Sequence, residues 1–343
     1  MTSFQDRMDG RNNHFNLIRV LAAFGVLISH AWPLSMGMRT TEPLQTLVGY
    51  KLGTLSVFVF FAISGFFITR SFDLSRDWKS YLIARCLRIF PALAVVLGLT
   101  VLVSGALITT APFSEFWISA VKYLIKNMSL FRLQWALPGV FEDNIYPKAI
   151  NGSLWTLSHE FRLYGLVLLV GVFRSFDWPV LLRFIALAFV VYLQCIPATT
   201  SSELATCFVI GAVIYLWRNH MPASMIISVL LVVVAIASKG TTAYLPILLL
   251  TISYSSLALG YYPFKKLLAY NRLGDYSYGI YIYAFPMQQL ASHFGADTPV
   301  ENILFAAVPT ITMAILSWHL IEGPALGMKN TVCKWLFREK AAT

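Results

Sequence analysis

Long apolar stretches constrain the fold of this chain more than any other feature of its sequence. Ten stretches are long enough to form an α-helix that crosses the hydrocarbon core of a bilayer, which takes about 17 to 25 residues. They cover residues 15–36, 50–69, 82–109, 153–173, 179–196, 203–219, 222–238, 243–262, 276–296 and 299–321. The sequence therefore predicts an all-α, polytopic membrane bundle of about ten transmembrane helices.

The composition argues against a soluble protein of this size. Of the 343 residues, 57% are apolar and only 12% are charged, whereas a soluble fold needs many more charged side chains at its surface. The net charge of +10 is compatible with a nucleic-acid-binding protein or with a membrane protein. The distribution of the basic residues decides between these two classes.

The basic residues fall mostly on one side of the predicted bundle. With the N-terminus placed in the cytoplasm, eighteen of the 26 Lys and Arg residues lie on the cytoplasmic side, seven lie outside, and Arg162 lies within a span. This bias follows the positive-inside rule, so we expect cytoplasmic termini (about 1–14 and 323–343) and no nucleic-acid partner. Nothing indicates a second domain, and residues 1–343 are expected to form a single integral-membrane domain.

One amphipathic stretch, near 116–131, does not fit this series of spans. Its apolar residues recur at helical spacing, with Lys122 and Lys126 on the opposite side. A crossing here would move every later loop to the other side of the membrane and remove the bias of the basic residues. We therefore predict a helix that lies in the outer interface.

A few ionisable residues interrupt the spans, although each costs about 2.5 to 3.5 kcal/mol at the bilayer centre. Arg19 and His30 are eleven residues apart in the first span, which places them on one helix face, about 16 Å apart along the axis. We expect this span to be retained, since it lacks the features of a cleaved signal peptide. Glu160 and Arg162, in the fourth span, face different directions, so each is expected to have a partner on another helix.

Further arginines lie at the cytoplasmic ends of the spans. Arg70 ends the second span, and Arg85 and Arg88 begin the third, three residues apart on one face. Together with Arg19 they are expected to form a cytoplasmic cluster. Because a guanidinium stays charged and binds phosphate in a bidentate manner, the cluster is a candidate phosphate site.

Two other features receive a structural interpretation. The cysteines have neither the Cys-x-x-Cys nor the Cys/His spacing of a metal site, so we predict no metal centre and no disulfide framework. Ser64 and Gly65, with Ala62, predict close helix packing. No Gly-x-Ser-x-Gly motif surrounds Ser64, so we do not assign it as a nucleophile.

Six motifs occur along the chain in a fixed order. They are Arg19 with His30, Phe-Phe-Ala-Ile-Ser-Gly-Phe-Phe-Ile at 60–68, Arg85-x-x-Arg88 followed by Pro91, the run 152–160, Leu-Gly-Asp-Tyr-Ser-Tyr-Gly-Ile-Tyr at 273–281, and Ile-Glu-Gly-Pro at 321–324. Together they resemble the membrane acyltransferase-3 family over nearly the whole chain. The resemblance implies transfer of an acyl group, usually acetyl from acetyl-CoA, to a hydroxyl of a surface or exported carbohydrate such as O-antigen or exopolysaccharide. It also implies a multi-pass protein of the bacterial cytoplasmic (inner) membrane.

The resemblance assigns roles to the residues of the donor side. His30 corresponds to the essential histidine of the family, Arg19 to its paired arginine, and Arg85 and Arg88 to the arginine pair of the third span. Acyl-CoA, a co-substrate and not a permanently bound cofactor, is expected to dock from the cytoplasm on Arg85, Arg88 and Arg70. Its pantetheine arm then extends up the bundle towards His30.

The chemical step has two open alternatives. His30 acts as a general base on the acceptor hydroxyl, with Glu160 orienting it or tuning its pKa, or it forms an acyl-histidine intermediate. Trp155, Tyr278 and Tyr281 are candidates for the acceptor side, because aromatic side chains line sugar sites. The acceptor is expected to be a carbohydrate, free or lipid-linked. The oligomeric state is open.

One departure from the family pattern and one alternative function remain. Ala284 occupies a position where many members of the family carry a histidine, so that histidine cannot serve here.

Alternatively, the intramembrane charges could form the substrate or proton pathway of a secondary transporter or a flippase for a glycan or lipid-linked sugar. Such transporters commonly contain internal repeats with matching broken helices. We find no convincing repeat, so acyl transfer is the preferred function.

Overall fold

The computed structural model describes residues 2–8, 13–173, 177 and 179–337. The cytoplasmic count of basic residues includes four that lie outside these ranges: Arg11, Arg174, Arg338 and Lys340. The described residues form helices and one isolated antiparallel bridge, between Ser3 and Pro222, and they contain no strand. The predicted all-α class is confirmed.

Each of the ten apolar stretches contains a helix. In chain order the α-helices are α1 (Phe4–Arg7), α2 (Phe15–Met36), α3 (Pro43–Val48), α4 (Leu52–Ser75), α5 (Trp78–Val103), α6 (Phe113–Ser129), α7 (Leu154–Val172), α8 (Pro179–Cys195), α9 (Thr200–Leu216), α10 (Met225–Ala237), α11 (Tyr244–Gly260), α12 (Ser277–His293), α13 (Pro299–Ser317), α14 (Gly323–Gly327) and α15 (Lys329–Leu336). Two π-helical segments, Ser104–Ile108 and Trp318–Glu322, follow α5 and α13 directly, and Lys265–Arg272 is a 3₁₀ segment.

The helices differ in length and polarity. Four are long and apolar enough to cross a membrane, namely Phe15–Met36, Leu52–Ser75, Trp78–Ile108 and Pro299–Gly327. Helices α8 to α11 are apolar but shorter. The remaining two that match predicted spans, α7 and α12, contain four of the residues predicted for the site, namely Trp155, Glu160, Tyr278 and Tyr281.

Helix α6 corresponds to the predicted amphipathic segment near 116–131. It begins at Phe113, directly after Pro112, and it ends at Ser129 because Leu130 adopts a left-handed conformation with φ of 56°. One face of the helix is buried: Phe116, Ala120, Tyr123 and Asn127. Apolar side chains on another face, such as Ile118 and Ile125, are exposed, as expected of a helix that contacts both protein and lipid.

The chain forms two compact units. The first comprises Met1–Ala22, Leu55–Tyr81 and Arg162–Asp275, and the second comprises Ala23–Thr54, Leu82–Phe161 and Tyr276–Thr343. Helices α2, α4, α5 and α7 contribute residues to both units.

In the first unit, α4 and α9 cross at very close range. A Cβ atom on Gly65 would lie 1.8 Å from the backbone oxygen of Phe208, and one on Gly211 would lie 2.1 Å from that of Ala62. Only glycine allows the two backbones to approach in this way. The close packing predicted for the segment from Ala62 to Gly65 is confirmed.

The first unit also contains a folded part of the predicted N-terminal tail. The backbone N–H of Phe4 donates to the carbonyl of Met221 at 2.9 Å, and its ring packs edge-on against Tyr254 and Tyr261. Phe4 is completely buried. Residues 2–8 are therefore anchored on the helices of this unit.

Candidate active site

His30 lies on α2 in the second unit, where an aromatic ring contacts its imidazole. The ring centroids of His30 and Phe285 are 5.2 Å apart, with an interplanar angle of 81°. Nδ1 of His30 is buried, and no described residue hydrogen-bonds to it. The protein thus supports the imidazole by an edge-to-face ring contact and leaves this nitrogen unbonded.

A proline in α12 explains how Phe285 reaches this position. Pro286 has no N–H to donate to the carbonyl of Ile282, which lies four residues earlier in the helix. The side chain of Asn151 takes over this role, since its Nδ2 donates to that carbonyl at 2.9 Å. Oδ1 of Asn151 accepts from the backbone N–H of Ser153 at 3.1 Å. One amide side chain therefore connects the start of α7 to the proline turn of α12.

Gly152 completes this contact. A Cβ atom there would lie 2.4 Å from Cε2 of Phe285, so the ring of Phe285 needs a residue without a side chain at this position. Gly152, Phe285 and His30 therefore form a continuous series of contacts. The motif that begins at residue 152 and the histidine of the first span meet through a residue that the sequence analysis did not select.

Glu160 lies close to a hydrogen-bonded pair of hydroxyl groups. The hydroxyl of Thr156 hydrogen-bonds to that of Tyr281, and Thr156 precedes Glu160 by one helical turn on the same face of α7. The Glu160 carboxylate interacts electrostatically with Tyr281. The structure thus brings together two residues of the predicted site, Glu160 on α7 and Tyr281 on α12, and the hydroxyl of Thr156 links the two helices.

Trp155 lies on the same helix and packs against His159. Nδ1 of His159 is 2.8 Å from the carbonyl oxygen of Trp155, and the two ring centroids are 5.5 Å apart. Trp155 is half-buried. Its indole packs on its own helix.

Arg88 lies in a cage of one carboxylate and two aromatic rings. Its Nη1 is 3.1 Å from Oε2 of Glu322, whose side chain is only 1% exposed. Ser317 donates a hydrogen bond of 2.8 Å to the other oxygen of this carboxylate. The guanidinium carbon lies 5.5 Å from the ring centre of Tyr278 and 6.0 Å from that of Trp318. These contacts fix the plane of the guanidinium.

Two more predicted residues lie beside Arg88. The hydroxyl of Tyr278 donates to the carbonyl of Ile89 at 3.0 Å, so Tyr278 belongs with the arginine and not with Tyr281. Arg85, half-buried, precedes Arg88 by one turn of α5. The two tyrosines predicted for the acceptor side lie three residues apart on α12, and their hydroxyl groups hydrogen-bond to different helices, that of Tyr278 to α5 and that of Tyr281 to α7.

The remaining predicted basic residues belong to the first unit. Nη1 of Arg19 is 2.5 Å from Oδ2 of Asp275, and its guanidinium lies 5.9 Å from the ring centre of Phe60. Arg70 is half-buried near the end of α4. Arg162 is exposed, and the described residues provide no ion pair for it, contrary to the expectation of a partner on another helix.

Sequence reasoning missed the carboxylates that hold the arginines. Asp275 and Glu322 both lie in motifs that resemble the family, Leu-Gly-Asp at 273–275 and Ile-Glu-Gly-Pro at 321–324. A signal existed, since an arginine within a bundle needs a partner. The pairing itself was not accessible, because helical spacing identifies neighbours on one helix and these partners are 256 and 234 positions away.

Apolar helices that carry a histidine, carboxylates and ion-paired arginines define a multi-pass membrane protein with polar groups among its helices as the class of protein. The sequence model of the acyltransferase-3 family, described as an acyltransferase domain, matches residues 12–322. The chain belongs to this family and is a multi-pass membrane acyltransferase.

Two relatives support this assignment. The chain is 29% identical over 331 residues to an O-acetyl transferase of Shigella phage Sf6, which covers 91% of this chain and 95% of the relative. It is 32% identical over 177 residues to nodulation protein 10 of Rhizobium leguminosarum bv. viciae, which covers 49% of this chain and 47% of that protein. No solved structure matches the chain.

Proposed function

We propose that this protein transfers an acetyl group from acetyl-CoA to a hydroxyl of a surface or exported carbohydrate in the bacterial cytoplasmic membrane. The proposal rests mainly on the surroundings of His30, which lies within a predicted span. Nδ1 of its imidazole is buried and has no hydrogen bond, and the ring contacts Phe285. The similarity to a phage O-acetyl transferase over 91% of the chain supports O-acetylation. An imidazole nitrogen that is free of hydrogen bonds can accept a proton from a hydroxyl group.

The donor is proposed to bind through its phosphates at the cytoplasmic side. Arg85 and Arg88, in the second unit, are the proposed ligands. A contribution from Arg19 and Arg70 stays a prediction from the sequence. Glu322 and the rings of Tyr278 and Trp318 hold the guanidinium of Arg88, which reduces the entropy lost when it binds phosphate. The acceptor is proposed to bind on the side of Glu160 and Tyr281.

Acyl transfer then follows one of two routes. As a general base, His30 takes the proton of the acceptor hydroxyl while the oxygen attacks the thioester carbonyl. The C–S bond breaks, and the CoA thiolate takes the proton from the imidazolium. In the covalent route, an imidazole nitrogen attacks the thioester carbonyl, the C–S bond breaks, and the CoA thiolate leaves with the proton of the other imidazole nitrogen. The acceptor oxygen then attacks the acetyl carbon, the N–C bond to His30 breaks, and the hydroxyl proton returns to the imidazole. Glu160 orients the acceptor or the imidazole in both routes.

The proposed topology has ten spans, with both termini in the cytoplasm and α6 in the outer interface. The positive-inside bias of the basic residues supports it. It places Arg19, Arg70, Arg85 and Arg88 near the cytoplasm, and it places His30 and Glu160 in the outer half of the membrane, towards an exported acceptor.

Analysis of the product tests this function. Mass spectrometry of the surface polysaccharide of the host, with and without the protein, is expected to show the loss of one acetyl group per repeat when the protein is absent. A transporter or flippase predicts less polysaccharide of unchanged mass. Incubation of purified protein with labelled acetyl-CoA and no acceptor separates the two routes, since only the covalent route leaves label on His30.

A further inference from the structure

A buried carboxylate lies between α2 and α4, beside the proposed catalytic histidine. Glu42 is only 2% exposed. Its Oε1 accepts a hydrogen bond from the hydroxyl of Ser29, and its Oε2 accepts one of 3.0 Å from the backbone N–H of Leu52. Ser29 directly precedes His30 on α2, and Leu52 is the first residue of α4.

Burial of this carboxylate requires compensation. A carboxylate removed from water is strongly unfavourable unless hydrogen bonds satisfy it. Glu42 meets this condition, because both oxygens accept a hydrogen bond and one of the donors lies at the N-terminus of α4, where the helix dipole favours an anion. The segment 37–51, which contains α3, is thereby connected to both α2 and α4.

The turn of α2 that carries His30 lacks part of its own backbone support. Pro33 lies inside α2, and it has no N–H to donate to the carbonyl of Ser29, four residues earlier. The neighbouring helix α4 packs against this turn of α2. A Cβ atom on Gly53 would lie 2.8 Å from the hydroxyl oxygen of Ser29, so α4 packs directly on this residue.

We infer that Glu42 is a positioning residue for acyl transfer, which acts through Ser29 to fix the turn of α2 that carries His30. Pro33 removes one backbone hydrogen bond from this turn. The Glu42 carboxylate and the close packing of Gly53 hold the turn in place through contacts from residues beyond α2. This inference rests on the proposed role of His30. A displacement of about 1 Å in a reacting group can lower a rate by about 100-fold, so a partial loss of this support is expected to be measurable.

Four variants in the full-length protein test the inference. Glu42→Ala removes the carboxylate, Ser29→Ala removes the hydroxyl, and the double variant removes both. Glu42→Gln keeps an acceptor for Leu52 and an amide that can donate to the Ser29 oxygen, so it removes little besides the charge. Glu301→Ala is the matched control, because Glu301 also accepts hydrogen bonds at a helix start, from Thr298 of the α13 cap.

We expect Glu42→Ala to lower kcat about tenfold or more, within the range known for misplaced reacting groups, with KM for acetyl-CoA unchanged. Ser29→Ala lowers kcat by a smaller factor, and the double variant is no slower than Glu42→Ala, since both changes remove the same contact. Glu42→Gln retains a kcat within about threefold of wild type, because hydrogen-bonding geometry and not charge supports the turn. Rates are normalised to protein that elutes as a single folded peak in detergent.

Three results would overturn the inference. They are a kcat of folded Glu42→Ala within twofold of wild type, additive losses in the double variant, and a Glu42→Gln variant as slow as Glu42→Ala. A Glu42→Ala variant with a lower melting temperature and an unchanged kcat, the result expected for Glu301→Ala, also contradicts a positioning role. Failure of the proposed function is a separate result, since His30→Ala would then retain activity. An inactive His30→Ala with a normal Glu42→Ala refutes only the inference.

Discussion

Carboxylates from distant parts of the sequence hold two of the arginines predicted for the site. Asp275 pairs with Arg19 in the first unit, and Glu322 pairs with Arg88 in the second. Replacing a buried pair with apolar residues is often neutral, whereas removing one partner leaves an uncompensated charge. We therefore expect each pair to orient its arginine more than it stabilises the fold.

The Arg88–Glu322 pair allows this distinction to be measured. Arg88→Met leaves a carboxylate that is 1% exposed without its cation, so we expect a lower melting temperature and a higher KM for acetyl-CoA. Arg88→Met/Glu322→Leu is expected to recover most of the melting temperature, since no charge remains unpaired. KM stays high because the phosphate ligand is still missing. A double variant with wild-type KM would exclude Arg88 from donor binding.

Helices were predicted more completely than the contacts between them. The helix starts at Phe15 and Pro179 agree with the predicted spans, because long apolar runs bounded by polar residues define such elements. The contact of α7 with α12 was not predictable, since it depends on a carbonyl freed by Pro286 and on the side chain of Asn151 that binds it. Helical periodicity contains no information about which other segment satisfies such a group.

A glycine substitution tests the contact between these two helices. Gly152→Ala places a methyl group where only 2.4 Å separates it from the Phe285 ring, so the ring must move away from its present position beside His30. We expect kcat to fall about tenfold or more, in line with the cost of misplacing a catalytic group. Steady-state kinetics of acetyl transfer measure this effect.

Gly165→Ala, on α7, is the matched control. No atom lies within 4 Å of a Cβ at that position, and alanine is favoured over glycine inside a helix by about 0.5 to 1 kcal/mol. Its activity is expected to equal that of wild type, with an unchanged or higher melting temperature. Equal activities of Gly152→Ala and Gly165→Ala would show that the position of Phe285 does not matter for catalysis.

For the protein as a whole, the proposed ten-span topology requires some helices that are shorter than a usual transmembrane helix to cross the membrane. Helix α10 has 13 residues and is about 20 Å long at 1.5 Å per residue, against a hydrocarbon core of about 30 Å. The proposed ten-span topology nevertheless requires α10 to cross, since it assigns the two ends of α10 to opposite sides of the membrane. Mismatch of this kind is accommodated by local thinning of the bilayer or by flanking residues.

Cysteine labelling at the two ends of α10 tests this topology. In a background without the four native cysteines, Asn219→Cys is expected to be protected from a membrane-impermeant thiol reagent in intact cells and to react after lysis. Thr242→Cys, in the loop that follows α10, is expected to react in intact cells. Both positions are exposed. Equal labelling of the two would contradict a crossing by α10, and the reverse pattern would contradict cytoplasmic termini.

The rate of acetyl transfer by His30→Ala tests the central claim most directly. The purified protein in detergent, with labelled acetyl-CoA and the carbohydrate acceptor, is compared with wild type and with His220→Ala, which changes an exposed histidine of the first unit. We expect His30→Ala to be about 100-fold slower or worse, the usual contribution of acid–base catalysis, and His220→Ala to be unaffected. A folded His30→Ala protein that transfers acetyl at the wild-type rate would contradict the account.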